Sequence, residues 1–194
     1  MSTSKPQGSR NVKGIIQVDL IKFLRVYQRS TPLPRLSPAA EELLQTRVIV
    51  SAWYPLAPFL ELIMVTDRVL LKGNEEAAVE LGAGGGTNLL RTSYRAYIRE
   101  GDAAESVMGV RHLWGTHYDF GAIHAELEAD RRSVVYTVTG YEDVVAPHGL
   151  MTAGWAIAAA RIAGAPAARI ELLERPWAGD EHLRYRVILG TGSR

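Results

Sequence analysis

Residues 119–141 read DFGAIHAELEADRRSVVYTVTGY, and this stretch decides the fold. Asp119 to Glu128 alternates apolar and polar side chains, and Ser133 to Tyr141 is β-branched and aromatic. A period of two with such residues predicts two strands, joined as a hairpin at Ala129-Asp130-Arg131.

Everything upstream has the other period. Leu20, Phe23, Leu24 and Tyr27 recur at helical spacing after a short predicted strand at Val12 to Val18. Ser37 followed by Pro38, Glu41 and Glu42 is a helix start, because a hydroxyl satisfies the first free amides and proline already has the helical φ. A further helix is predicted from about Pro55 to Leu71, behind a β-branched run at Val48 to Val50 that reads as a strand. Glu75 to Leu81 and Thr87 to Arg99 are both helical in pattern, separated by glycines 82 and 84–86, and tertiary packing can fuse them. Asp102 caps a helix over Ala103 to Trp114. Downstream, Leu150 to Ala163 is an alanine-rich helix stopped by Gly164, and Arg169 to Arg175 and His182 to Leu189 predict two more strands. Helices crowd the first half and strands the second, which predicts an α+β fold with a helical layer packed on one face of an antiparallel four- to five-stranded sheet.

The 194 residues suffice for one substantial core. Residues 1–11 predict a disordered arm, and 12–190 a single α+β domain. With 22 basic and 21 acidic side chains the net charge is +1, too little for a broad field that holds nucleic acid. Cysteine is absent, which excludes disulfides and thiolate chemistry. The polar start MSTSKPQGSRNVKG is unlike a secretory signal, and no run of about twenty apolar residues predicts a membrane span, so the expectation is a cytoplasmic protein.

Several short motifs carry a resemblance: YDFG at Tyr118 to Gly121, Gly154-Trp155 within a small-residue helix, Ala163-Gly164, and GDEHLRYRV from Gly179 to Val187. On these the second half resembles the 4-vinyl reductase domain and its relatives, the heme nitric-oxide-binding-like proteins and small subunits of the transport protein particle. Separately, SAWYPLAPFLELI from Ser51 to Ile63 is similar to a segment of an uncharacterised family expanded in myxobacteria. The resemblance implies a homodimer that senses a small hydrophobic ligand or docks a partner protein, rather than an enzyme. Metal-binding members place cysteines near the last hairpin, where this chain has His182, so their zinc site does not carry over. Heme-binding relatives need an axial histidine, and no position here matches their signature.

The residues themselves leave three readings. Trp53, Tyr54, Tyr94 and Trp114 are the candidate ligand-binding rings, with Arg91 or Arg95 as polar anchors, although aromatics at helical spacing are more often core. His112, His117, Asp119 and His124 suit a metal by chemistry but not by spacing, and define an enzyme alternative over His112 to His124. A ligand-free assembly module is the third. LGAGGGTNL resembles a phosphate cradle but lacks the Walker lysine and the last glycine of a dinucleotide fingerprint, so a turn or close helix packing is the plainer use. No catalytic residue, cofactor or metal ligand is assigned. The small-residue face of LMTAGWAIAAARIAGA suits either a dimer seam or a buried helix.

Overall fold

The structure, a computed structural model, describes residues 10–141 and 144–190, so nine residues of the expected arm lie outside it. The chain divides into two compact units. The first comprises residues up to Asn74 with Gly115–Phe120, and the second Glu75–Trp114 with Gly121 onward.

In the first unit, β1 (Asn11–Lys13) pairs antiparallel with β2 (Trp53–Pro55). The strand expected over Val12 to Val18 ends early, because Gly14 turns the chain against the 48–52 loop. A Cβ at Gly14 would lie 2.2 Å from the Ile49 carbonyl oxygen. The N–H groups of Gly14 and Ile15 donate to the carbonyls of Ala52 and Val50, at 2.9 and 3.0 Å. Val48 to Val50 therefore supplies acceptors from a loop and is not a strand.

The α1 helix (Val18–Tyr27) and α2 helix (Pro38–Gln45) follow, and Ser37 caps α2 as its sequence predicts, accepting from the Ala40 amide. Ser37 is in turn gripped by Glu61 of α3 (Leu56–Thr66), whose carboxylate accepts from the Ser37 amide at 2.7 Å and from its hydroxyl at 2.5 Å. Arg25 of α1 donates to the carbonyls of Leu44 and Thr46 at the other end of α2, where a cation offsets the unpaired carbonyls. Asn11 anchors the 115–120 segment, its backbone and side-chain amides each donating to Asp119 at 2.7 Å.

The second unit holds the four-stranded antiparallel sheet, in the order β3-β4-β6-β5: β3 (Ala122–Leu127), β4 (Ser133–Thr139), β5 (Arg169–Glu174) and β6 (Leu183–Ile188). The predicted hairpin forms with Leu127 opposite Val134, and the expected architecture of helices on one sheet face is what the structure has. Val134, Tyr136, Val138, Leu183, Tyr185 and Val187 are buried on the helical side, where Tyr136 stacks on Tyr185 at 5.1 Å and donates its hydroxyl to the Val107 carbonyl. The opposite face is charged. Arg186 bridges Glu171 and Glu128, and Arg184 meets Glu174.

Two helices cover the buried face, α5 (Ala103–Val110) and α7 (Ala146–Ile162), and α4 (Glu75–Arg91) lies against α7. The two expected segments before and after the glycines are one helix, and the glycines have no exposed amide cradle. That removes the phosphate reading. Their use is contact: a Cβ at Gly82 would lie 2.0 Å from the Met151 carbonyl oxygen, and one at Gly154 would lie 2.2 Å from that of Val79. The small-residue face of α7 is thus consumed inside the chain, which is the buried-helix alternative. The helix expected to reach Arg99 ends at Arg91, where the Tyr94 amide turns back to the Leu89 carbonyl. The helix expected to reach Trp114 tightens after Val110 into a 3₁₀ turn, with the one-turn α6 (Trp114–His117) beyond.

Gly82→Ala and Gly154→Ala should each destabilise the protein severely, by about 3 kcal/mol or more, because backbone stands where the methyl must go. Gly84→Ala, which meets nothing within 4 Å, should instead stabilise it by about 0.5–1 kcal/mol. Urea denaturation of the three variants measures both signs.

Candidate functional site

The four rings predicted for a ligand fall two in each unit. Trp53 and Tyr54 are neighbours in β2 and half-buried. The ammonium of Lys13 sits 4.1 Å above the Trp53 ring, a cation–π contact across the β1–β2 pair. The Tyr54 hydroxyl accepts from the Ile49 amide at 2.8 Å, which fixes the phenol. Tyr54 lines a cavity of about 290 Å³ in the first unit, together with Leu43, Pro55, Pro58, Glu42 and Thr46. This is the small end of the range for ligand cavities, and its lining has the usual mix of apolar walls with a few polar groups.

In the second unit Trp114 is 6% exposed and its ring tilts against Tyr141 at 6.3 Å. Tyr94 belongs to a different group of rings. It lies 6.4 Å from Trp155 on one side and 6.4 Å from Tyr97 on the other, and Tyr97 stacks on His112 at 6.4 Å. Tyr94, Tyr97 and Trp155 are half-buried and His112 is exposed. Trp155 owes its position to Gly86, since a Cβ there would lie 3.1 Å from the indole. The helical pattern places Tyr94 and Tyr97 on one side, but the sequence does not pair them with Trp155 and His112; the pairing of Tyr94 with Trp155 depends on how α4 and α7 cross.

A second cavity, of about 490 Å³, lies in the second unit between α4, α7 and β5. Its floor is apolar, including Val79, Ile157 and Leu172, but its charged rim is largely spent on itself. Arg161 holds Glu80 in a two-pronged pair at 2.7 and 2.7 Å, which lowers the Glu80 pKa and raises that of Arg161, and Arg175 meets Glu75 at 3.5 Å.

The histidines of the enzyme alternative have separate surroundings. His112 stacks on Tyr97, and His124 stands exposed on β3. His117 is 4% exposed beside Tyr118, and Asp119 is taken by Asn11. Among the described residues no three histidines or carboxylates are grouped to hold a metal ion.

No family model matches the sequence, and no curated protein is similar to it at the sequence level. Solved structures are similar in shape. An H-NOX protein from S. oneidensis, in its Fe(II) ligation state and carrying a triple mutation, superimposes with a TM-score of 0.66 at 14% identity, over 94% of this chain and 98% of that one. The Fe(II)NO state of an S. oneidensis H-NOX protein gives 0.64 at 13% identity, over 92% and 99%. A T. tengcongensis H-NOX mutant gives 0.62 at 13% identity, over 91% and 96%. This chain has the H-NOX fold.

The heme nitric-oxide-binding branch of the expected resemblance is therefore the one that the shape supports, and these comparisons do not support the 4-vinyl reductase or myxobacterial branches. Among the described residues no helix is long and apolar enough to cross a membrane.

Two buried imidazoles make stability depend on pH. His148 of α7 is 2% exposed and shares a hydrogen bond of 2.5 Å between its Nδ1 and the Tyr141 hydroxyl. Burial pushes the pKa of His148 and of His117 down to about 4. The unfolded chain takes up these protons below about pH 6.5 while the folded one resists them, so stability is full above pH 6.5 and declines as pH falls toward 4, by up to roughly 3 kcal/mol per histidine. Denaturation at pH 7.5 and 5 should show about 2 kcal/mol of that loss per histidine, and a His148→Asn variant should show a smaller total.

Proposed function

We propose that this chain is a non-enzymatic sensory domain of cytoplasmic proteins that binds a small apolar ligand in the cavity beside Tyr54. The observation that carries the reading is the H-NOX fold, matched over more than nine-tenths of both chains, in a protein that presents a cavity walled by Tyr54, Leu43, Pro55 and Pro58. Residues 12–190 are taken as one functional domain, and a homodimer as its working state. Of the four predicted rings, Tyr54 is the one that lines this cavity; Trp53, Tyr94 and Trp114 are not among its lining residues.

Heme is the group that the fold family implies. An axial imidazole must aim a free nitrogen into an enclosed slot wide enough for a porphyrin. Here His112 and His124 are exposed, His182 stands beside Glu181, and His117 and His148 are packed against Tyr118 and Tyr141. None of the five lines the cavity at Tyr54 or the one at Ile157. On that ground the ligand we infer for the Tyr54 cavity is organic and apolar and not heme.

Docking of a protein partner is the second reading, favoured by Val26, Ile49, Val50 and Leu70, which are large, apolar and exposed in the first unit.

Native mass spectrometry of the protein purified from its own organism should show a dimer with a retained small organic molecule. Tyr54→Ala should weaken that binding about tenfold, or ~1.4 kcal/mol, with little change in melting temperature. Trp114→Ala, at a buried site, should cost about 3–5 kcal/mol of stability. Equimolar hemin should give no protein-bound Soret band; a bound band that His112→Ala or His117→Ala abolishes would overturn the apolar-ligand reading.

A further inference from the structure

The ring run Trp155, Tyr94, Tyr97 and His112 belongs to neither the Tyr54 cavity nor the core beneath the sheet. Trp155, Tyr94 and Tyr97 are half-buried and His112 is exposed, so all four rings reach solvent. They follow one another at equal centroid separations of 6.4 Å, tilted, edge-to-face and stacked in turn, and so form one chain of ring contacts.

Its electrostatics are distinctive. The segment 91–99, RTSYRAYIR, carries Arg91, Arg95 and Arg99 and no acid, in a chain whose net charge is only +1. Arg95 and Arg99 have weak, exposed pairs with Glu100 and Glu105, at 3.4 and 3.9 Å, contacts that solvent screens. Arg91 has no ion pair among the described residues. The surface therefore combines planar π-faces with spare positive charge on the turn that carries two of the rings.

We infer that this surface binds a planar aromatic anion of the nucleoside monophosphate class, its base stacked on the Tyr94 and Trp155 side of the run and its phosphate met by Arg91. Aromatic rings stack on any nucleobase because every base has a π-face, and a guanidinium matches phosphate with paired N–H donors. A single base and phosphate is the size that suits the site, since a nucleic-acid strand needs a basic groove that tracks several phosphates, and the three arginines here fall within one nine-residue segment. The site lies wholly in the second unit and does not depend on the apolar-ligand reading of the first.

The test is calorimetric titration of the full chain with adenosine 5′-monophosphate, adenosine, ribose 5-phosphate and a single-stranded adenine oligonucleotide. The monophosphate should bind saturably, and adenosine and ribose 5-phosphate each about fivefold or more weakly, because each lacks one half of the recognition. Arg91→Gln, an exposed change that leaves the fold intact, should weaken the monophosphate but not adenosine. Tyr94→Leu, with its fold checked by circular dichroism, should weaken adenosine and the monophosphate alike. No saturable binding at millimolar monophosphate would overturn the proposal, as would ribose 5-phosphate binding equally well or indifference to both variants. Tighter binding of the oligonucleotide at moderate salt would overturn it in favour of a strand.

Discussion

The backbone-to-backbone contact of α4 and α7 at Gly82 and Gly154 is the constraint on which the second unit depends. Two helices with ordinary side chains keep their axes 8–10 Å apart, and only the loss of both Cβ atoms lets carbonyl and amide of one helix touch the other. Glycine in a helix interior costs about 1 kcal/mol relative to alanine. The offset comes from the alanines of α7, of which 153, 156, 158, 159 and 160 are fully buried, so the interface is dense despite its small side chains. The same approach sets Trp155 on Gly86 and brings Glu80 to Arg161. Ring surface and cavity rim are both consequences of one close crossing.

The sheet divides the unit's chemistry by face. Its inner side holds stacked Tyr136 and Tyr185 under α5 and α7, while its outer side is a ladder of alternating charges from Glu171 through Arg186 to Glu128. β5 is a sheet edge, and it is shielded in the usual ways, by Arg169, Glu171 and Glu174 and by an irregularity in its pairing between Leu172 and Glu174. The aromatic surface around Tyr94 therefore sits on the helical side of this unit, and the strands serve as its support.

The shared fold leaves the site to be read from this chain's own residues. The architecture is shared with H-NOX proteins at an identity of 13–15% for the S. oneidensis structures, a level at which a common shape does not fix a common site. Two of the five imidazoles are buried among tyrosines, which keeps them neutral and structural, and three stand outside the cavities at Tyr54 and Ile157. The readings that remain rest on this chain's own rings, cavities and arginines.

The helix starts at Ser37 and Asp102, the hairpin across residues 129–131 and the order of helices before strands are all legible in the sequence, because caps, turns and periodicity act between residues a few positions apart. Tyr54 and Tyr94 stand out for the same local reason, as rings at patterned positions. What the sequence alone could not decide is whether the 82–86 glycines break a helix or carry it past another, or whether Val48 to Val50 forms a strand. Nor could it show that Tyr94 meets Trp155, sixty-one positions along the chain, while Trp114 meets Tyr141. Those outcomes depend on which surfaces exclude water together. Tertiary packing overrides local propensity there, because the free energy of burying a whole helix face exceeds the cost of the few unfavourable residues within it.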